Sequence, residues 1–260
     1  MFRTVTEGVK HLLIINVIMF GATLLIRQTN PELMYSLFGL YFPENNIFQP
    51  WQIISHMFMH GDLMHLIFNM VALYMFGTAV EQVYGTNKFI FLYFSCGLGA
   101  ALISLTFSYY SFYSVLDIMV SNGISKSDVL VSLNSLNEGK NINEALVIWQ
   151  EVINQSDFNT LGSAFNTSMV GASGAIMGIL VAFGFLFPES KLMLLFLPFP
   201  VKAKYFIPGI ILLDLFSAVT GTSIFSPSNT AYIAHLGGAF TGFLIMYYWK
   251  KNQFNSSRWN

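Results

Sequence analysis

Six long apolar segments occupy much of this 260-residue chain and limit what it can fold into. They cover residues 11–27, 65–84, 89–110, 170–187, 205–224 and 230–249. Each approaches the roughly 20 mostly apolar residues that an α-helix needs to cross a lipid bilayer. Charged residues make up 10% of the chain, against about 25% in an average soluble domain. The sequence therefore predicts an all-α membrane protein, one domain over 1–260 with six transmembrane helices.

The basic residues predict how these helices are oriented. No small-residue cleavage site follows the first segment, so we interpret it as a retained helix. An even number of crossings then places both termini on the same side as nine of the twelve Lys and Arg residues. Only Arg27, Lys126 and Lys140 fall on the other side. Because positive charge is enriched in cytoplasmic loops, we expect both termini in the cytoplasm, with the bacterial inner membrane as the location.

Two long connecting segments are expected on the outer side. Residues 28–64 combine prolines with many aromatic side chains, a composition typical of a structured loop at the membrane interface. Residues 111–165 form the polar part of the chain. Within them, apolar residues recur at helical spacing and predict an amphipathic helix from Asn141 to Gln155. We expect 111–165 to be a helical extramembrane insertion between the third and fourth transmembrane helices.

A serine and a histidine inside two apolar segments indicate possible chemistry. Ser173 lies near the start of the fourth segment and His235 near the start of the sixth, and both segments descend from the outer face. His65 and Asn69 begin the second segment, and their spacing of four residues places them on one helix face. We therefore expect four polar side chains in one layer, within about two helical turns of the outer surface.

Small residues recur every fourth position on the fourth and sixth segments. These ridges are Gly174, Gly178 and Ala182 on one, and Ala234, Gly238 and Gly242 on the other. Such spacing lets helix backbones approach closely in lipid. If the ridges face each other, Ser173 and His235 lie at the seam and can meet. Ridges of this kind also occur where helices only pack, so the shared depth of the polar groups carries the functional interpretation.

The chemistry of this pair is nucleophilic catalysis. A serine hydroxyl attacks a carbonyl only when a base takes its proton, and histidine can accept that proton and return it to a leaving amine. We expect no carboxylate beside His235, because Asp214 lies in the middle of its segment and therefore too deep. A serine–histidine dyad is favoured over a triad.

Three motifs together resemble the rhomboid family of intramembrane serine proteases. They are Gly171-Ala172-Ser173-Gly174, Ala234-His235-Leu236-Gly237-Gly238 and the segment 60–69, HGDLMHLIFN, with Thr78-Ala79-Val80-Glu81 as a further similarity. The resemblance implies that Ser173 is the nucleophile and His235 the general base, and that His65, Asn69 and the Ser173 N–H form an oxyanion hole. It also implies an interfacial first loop, cleavage of transmembrane substrates near the outer membrane face, and no metal or nucleotide cofactor.

Supporting roles are expected for His60, Gly171, Gly174, Met177 and Gly238. We expect His60 to hydrogen-bond loop backbone near the site. The chain departs from the family at Gln52, where many members have arginine after tryptophan, and at Met177, where a tyrosine often stacks on the catalytic histidine. We expect Glu81, near the inner end of the second helix, to accept hydrogen bonds from cytoplasmic loop N–H groups.

Other functions stay open from the sequence. One alternative is an ion or metal transporter that uses Asp214 and the histidines, and another is an inactive relative that binds membrane clients. Metal binding is not expected at His56, His60 and His65, since no zinc-protease motif occurs. The net charge of −1 and the lack of basic clusters give no sign of nucleic-acid binding. For a protease we predict a water-filled cavity, a lid at 221–229 and lateral substrate access between the second and fifth helices. The oligomeric state is not encoded in any motif.

Overall fold

The described part of the chain consists almost entirely of helices. The computed structural model describes residues 4–192, 200–221 and 231–256. Its α-helices are α1 Glu7–Ile26, α2 Leu33–Phe38, α3 Gln52–Ser55, α4 Leu63–Ala72, α5 Thr78–Tyr84, α6 Thr86–Ser121, α7 Lys126–Asn137, α8 Asn143–Val152, α9 Gln155–Asn166, α10 Ser173–Leu186, α11 Ala203–Thr220 and α12 Ala231–Ser256. A 3-10 turn, His56–Phe58, follows α3, and a π-helical turn, Leu73–Gly77, joins α4 to α5. Two short strands, β1 Lys191–Leu192 and β2 Val201–Lys202, pair antiparallel before α11.

Several of these helices are long and apolar enough to cross a membrane. Within the described ranges they are α1, the continuous helix Leu63–Tyr84, α6 and α11. Helix α10 is also apolar but has 14 residues, and α12 has 26. The structure thus confirms the predicted all-α membrane fold, while six crossings stay a prediction. The predicted lid at 221–229 lies outside the described residues after Gly221.

The centre of the bundle is α10, which packs between α6 and α12. Every residue from Gly174 to Phe183 is buried. The contact with α12 is made by glycines: a methyl group added at Gly238 would overlap the carbonyl oxygen of Gly174, and one added at Gly242 would lie 2.6 Å from Gly178 Cα. Since only hydrogen separates the two backbones there, the predicted meeting of the small-residue ridges is confirmed.

Helix α6 closes the other side of α10 with small residues. A methyl group at Gly174 would lie 2.5 Å from Ala100 Cβ, and one at Gly178 would overlap Cys96 Sγ. The three helices α6, α10 and α12 therefore meet along one line of close approach, where dispersion contacts are strongest. This contact fixes the position of the start of α10 relative to α12.

Helix α11 ends earlier than the hydropathy pattern predicts. The apolar segment extends to 224, but the helix stops at Thr220 because Gly221 adopts the left-handed conformation (φ 69°) and its N–H bonds to Ser217 O at 2.9 Å. Only a small part of α11 is buried, and its packed face carries Ala203, Ile207 and Ser217. The early end places Asp214 nearer to that end of the helix than the apolar segment indicates.

The polar residues 111–165 form helices around a second apolar core. Helix α6 extends to Ser121, and α7, α8 and α9 pack against its end. Their shared core contains Phe42, Phe112, Leu116, Trp149, Leu161 and Phe165 among its buried members. The predicted helix from Asn141 to Gln155 is observed as α8, with Trp149 buried and Val147 and Ile148 exposed. The amphipathic interpretation is confirmed, with bounds two to three residues shorter.

These helices also hold the first loop. Lys126 and Tyr113 both reach the Glu44 carboxylate, at 3.3 Å and 2.5 Å. The Asn45 side chain donates to Phe165 O at 2.9 Å, and the Asn46 N–H donates to Asn134 Oδ1 at 2.8 Å. The first loop is therefore bound to the inserted helices through contacts between residues 69 to 120 positions apart in sequence.

Gln52 anchors the same loop from inside. Its side chain is fully buried, and its Nε2 donates to the carbonyl oxygens of Ser36 (2.8 Å) and Ile47 (3.0 Å). Its Oε1 accepts from the Tyr41 N–H at 3.3 Å. One amide thus hydrogen-bonds to three separate segments of loop backbone and holds the loop together.

Glu81 ties the start of α1 to the end of α5. Its carboxylate accepts hydrogen bonds from the N–H groups of Gly8 (2.8 Å) and Val9 (2.9 Å) and from the hydroxyls of Thr6 (2.5 Å) and Thr86 (2.7 Å). The N–H groups at a helix start have no acceptor within the helix. The expectation that Glu81 accepts from loop N–H groups is corrected: it does accept from backbone N–H groups, but they belong to the first turn of α1 and not to a loop.

Candidate active site

Ser173 is the first residue of α10. The preceding Ala172 occupies the N-cap and has no side-chain oxygen, so the N–H groups of the first turn have no side-chain acceptor there. Unpaired N–H groups and the helix dipole both favour negative charge at this end. Helix α10 therefore offers donors beside the Ser173 hydroxyl.

Gly171 brings the chain into position before Ser173. It has φ 123°, which side chains rarely tolerate, and its N–H donates to His56 O at 2.9 Å. A methyl group at Gly171 would lie 2.9 Å from His65 Nε2 and 3.7 Å from Ser173 Oγ. The absence of a side chain at Gly171 therefore lets the His65 ring approach the serine, and the turn gives this predicted supporting residue a structural reason.

The helix α4 carries two more of the predicted polar residues. Asp62 caps this helix, and its carboxylate accepts from the His65 N–H at 2.8 Å. One turn further on, Asn69 is 7% exposed, and its Nδ2 has no hydrogen-bond partner within the described residues. Such an unpaired buried donor is rare in folded proteins. It is the kind of group that an oxyanion could satisfy.

His235 lies on α12 beside the serine-bearing helix. A methyl group at Gly174 would lie 3.4 Å from Ala234 O, so the residue after Ser173 contacts the residue before His235. The structure thus brings the predicted Ser173, His65 and His235 to one seam. Among the described residues, Ser173 Oγ takes part in no hydrogen bond, and the catalytic hydrogen bonds of unliganded sites are often long before substrate binds.

The expectation that no carboxylate lies beside His235 is wrong. Asp214 Oδ2 lies 3.1 Å from His235 Nδ1, and the two side chains are 14% and 19% exposed. The sequence argument placed Asp214 too deep because it assumed an apolar helix to residue 224. Helix α11 ends at Thr220, so Asp214 is about 9 Å from that end at 1.5 Å per residue.

Two other histidines lie buried behind the site. His56 is 1% exposed and His60 is fully buried, and burial lowers the pKa of each to about 4. His56 Nδ1 pairs with Gln52 O at 2.9 Å. Both rings are therefore neutral near pH 7.

The hydrogen bond from His60 to loop backbone stays a prediction. The Phe58 backbone lies close enough to the ring to raise its pKa, while neither ring nitrogen has a partner at full hydrogen-bond geometry among the described residues. The ring packs edge-on against His65, with centroids 5.0 Å apart at 65°. His60 therefore contacts the site through the His65 ring. The sequence could not reveal this, because the loop conformation decides which way the ring turns.

Met177 is the last of the predicted supporting residues. Met177 is 6% exposed in the bundle core, one turn after Ser173. Within the described ranges, no three His, Cys, Asp or Glu side chains are grouped so that they could hold a metal ion. The arrangement is one of a hydroxyl, a histidine with a carboxylate partner and a set of unpaired donors. Such a set is suited to acyl transfer.

Comparison with known proteins shows which family the chain resembles. The Rhomboid domain family matches residues 48–127 and 146–252 of the chain. Rhomboid protease AarA of Providencia stuartii is 28% identical over 204 residues, which are 75% of this chain and 54% of that protein. Rhomboid protein 1, mitochondrial, of Saccharomyces cerevisiae is 25% identical over 251 residues, covering 96% of this chain and 56% of that protein. The chain therefore spans about half the length of these two relatives.

Proposed function

Because the chain belongs to the rhomboid family, we propose that it is an intramembrane serine endopeptidase with Ser173 as nucleophile and His235 as general base. The observation that carries the proposal is the glycine contact between α10 and α12, which holds the start of one helix against the residue before His235. The chain is a multi-pass integral membrane protein, and its residues 111–165 are proposed to lie outside the membrane.

The proposed reaction proceeds through an acyl-enzyme. Ser173 Oγ attacks the carbonyl carbon of the scissile peptide bond while His235 takes the hydroxyl proton. His235 then returns that proton to the leaving amine as the C–N bond breaks. A water molecule attacks the ester by the same sequence and releases the new carboxyl end, which restores the Ser173 hydroxyl. The described residues supply every proton transfer in this scheme.

The proposed oxyanion hole consists of His65, Asn69 and the Ser173 N–H. Asn69 Nδ2 is buried without a partner among the described residues, and the Ser173 N–H lies at an uncapped helix start. Donors held in place before the reaction stabilise the developing negative charge without reorganisation. His65 lies at the Gly171 turn, close to the serine.

The proposed substrates are transmembrane proteins, cut near the outer membrane face with both termini of this chain in the cytoplasm. Ser173 is the first residue of α10, and Asp214 lies in the half of α11 that ends at Thr220. A peptide carbonyl inside an intact helix is already hydrogen-bonded, so the substrate must unwind locally. Helix α11 is the least buried of the four candidate spans, because 17% of its 18 residues are buried. This weak packing supports lateral access between α11 and the helix Leu63–Tyr84.

The test is cleavage of a single-span membrane substrate in proteoliposomes. We expect the wild-type protein to cut it and Ser173→Ala to leave it intact. Ser104→Ala is the matched control, because Ser104 is also buried (8% exposed) but lies on α6 and has no role in the proposed reaction. It should cut like wild type. Equal cleavage by wild type and Ser173→Ala would contradict the proposal, as would no cleavage of any of a panel of such substrates.

A further inference from the structure

We propose that Asp214 is a positioning residue for His235, so that the site works as a serine–histidine–aspartate chain. The inference rests on the proposed roles of Ser173 and His235. Its starting point is the 3.1 Å contact between Asp214 Oδ2 and His235 Nδ1. This contact joins α11 to α12 across 21 residues of sequence.

Asp214 lies on the packed face of α11. Ile207 and Ser217, one to two turns away on the same face, are buried, whereas Leu212 and Phe216 are 63% and 53% exposed. A carboxylate in an apolar helix is costly unless it is paired. Within the described residues, the His235 ring is the partner of the Asp214 side chain. Breaking the contact with the His235 ring would leave the carboxylate unpaired, so the contact is favoured.

The depth of the two groups matches. Asp214 is six residues from the end of α11 at Thr220, or about 9 Å, and the 3.1 Å contact places His235 at the same level on α12. Ser217, the next polar residue on that face, donates its hydroxyl to Leu213 O at 3.0 Å within its own helix. It therefore does not compete for the histidine.

A carboxylate on Nδ1 has a defined chemical consequence. It accepts a hydrogen bond from Nδ1–H and so holds the proton on Nδ1, which keeps Nε2 unprotonated and able to take the proton of Ser173. It also stabilises the imidazolium that forms when the serine attacks. Asp214 itself neither gains nor loses a proton in this scheme. Its removal should slow the chemical step and leave substrate binding nearly unchanged.

A purely structural role for Asp214 makes a different prediction. If the carboxylate only joins α11 to α12, its loss lowers stability and active fraction, and the remaining folded enzyme keeps its rate. Two variants separate these cases: Asp214→Asn keeps the shape but can present an N–H to the ring, and Asp214→Glu keeps the charge. Ser217→Ala is the control for a change on the same helix face.

The experiment measures kcat and KM for a transmembrane substrate, thermal unfolding, and the ¹⁵N spectrum of labelled histidine, with His235 assigned by substitution. We expect Asp214→Asn to lower kcat on the order of 10²–10³-fold and to change KM less than about 3-fold. Asp214→Glu should recover part of the loss. The wild-type spectrum should show His235 with its proton on Nδ1, and the asparagine variant should shift it to Nε2.

Two results would overturn this inference alone. One is wild-type kcat in Asp214→Asn while Ser173→Ala is inactive. The other is a loss of activity in Asp214→Asn that matches its loss of folded protein, with the His235 tautomer unchanged. Cleavage that survives Ser173→Ala would instead contradict the proposed function on which the inference rests.

Discussion

The substitution Gly238→Ala tests the helix contact on which the site depends. The added methyl group would overlap the Gly174 carbonyl oxygen and lie 2.6 Å from its carbonyl carbon, whereas real Cβ contacts essentially never fall under 3.0 Å. Both partners are backbone atoms, so no side-chain rotation relieves the clash. Helix α12 must move away from α10 by on the order of 1 Å. Overpacking of this kind costs about 1–3 kcal/mol of unfolding free energy.

The same displacement should also reduce the activity of the molecules that stay folded. His235 lies three residues before Gly238 on α12, so it moves with the helix. A misplacement of about 1 Å between reacting groups can cost on the order of 10²-fold in rate. We expect kcat/KM for a transmembrane substrate to fall about 10²-fold in the fraction that remains folded. The assay is proteoliposome cleavage, normalised to folded protein by thermal unfolding.

The matched control is Gly21→Ala in α1. A methyl group there would have nothing within 4 Å, and alanine is favoured over glycine in a helix by about 1 kcal/mol. This variant should be as active as wild type and equally or slightly more stable. Wild-type activity and stability in Gly238→Ala would refute the claim that backbone contact at this glycine sets the geometry of the site.

Three further predictions follow from buried polar groups. His56 and His60 have pKa values of about 4 when folded and about 6.5 when unfolded, so the unfolded chain binds more protons below pH 6.5. Acidification from pH 7 to 4 should therefore lower the free energy of unfolding by about 3 kcal/mol per histidine, measured by denaturation. In His60→Phe the same acidification should lower it by about half as much as in wild type. Equal losses in the two proteins would contradict this. Glu81→Gln should lower stability by about 2–4 kcal/mol while activity per folded molecule stays unchanged, because it weakens the four hydrogen bonds of that carboxylate. Asn69→Ala should lower kcat about 10²–10³-fold with little change in unfolding temperature; an unchanged kcat would remove Asn69 from the oxyanion hole.

The sequence predicts those parts of the fold that depend on local pattern. Hydrophobic length locates the four described helices that are long and apolar enough to cross a membrane. The four-residue spacing of Gly174, Gly178 and Gly238, Gly242 predicts which faces meet, because close backbone approach requires small residues wherever it occurs. The helical spacing of Trp149 and its neighbours similarly predicts α8. In each case the physical cause is written in one short stretch of chain.

The contacts between distant elements were harder to predict. The Asp214–His235 pair depends on where α11 ends, and hydropathy continues past Gly221 although its left-handed backbone stops the helix. The orientation of the His60 ring depends on the loop around it. Gln52 anchors three backbone segments that no spacing rule brings together. Glycine commonly ends helices, so Gly221 is the sequence signal that could have placed Asp214 closer to the outer surface.

The most direct test of the proposed site is the reaction of the protein with a fluorophosphonate probe, followed by mass spectrometry of the labelled peptide. The account predicts a single adduct on Ser173 that forms in wild type, is absent in Ser173→Ala and is slowed on the order of 10³-fold in His235→Ala. Labelling of another serine, or labelling of Ser173 at the same rate without His235, would contradict it.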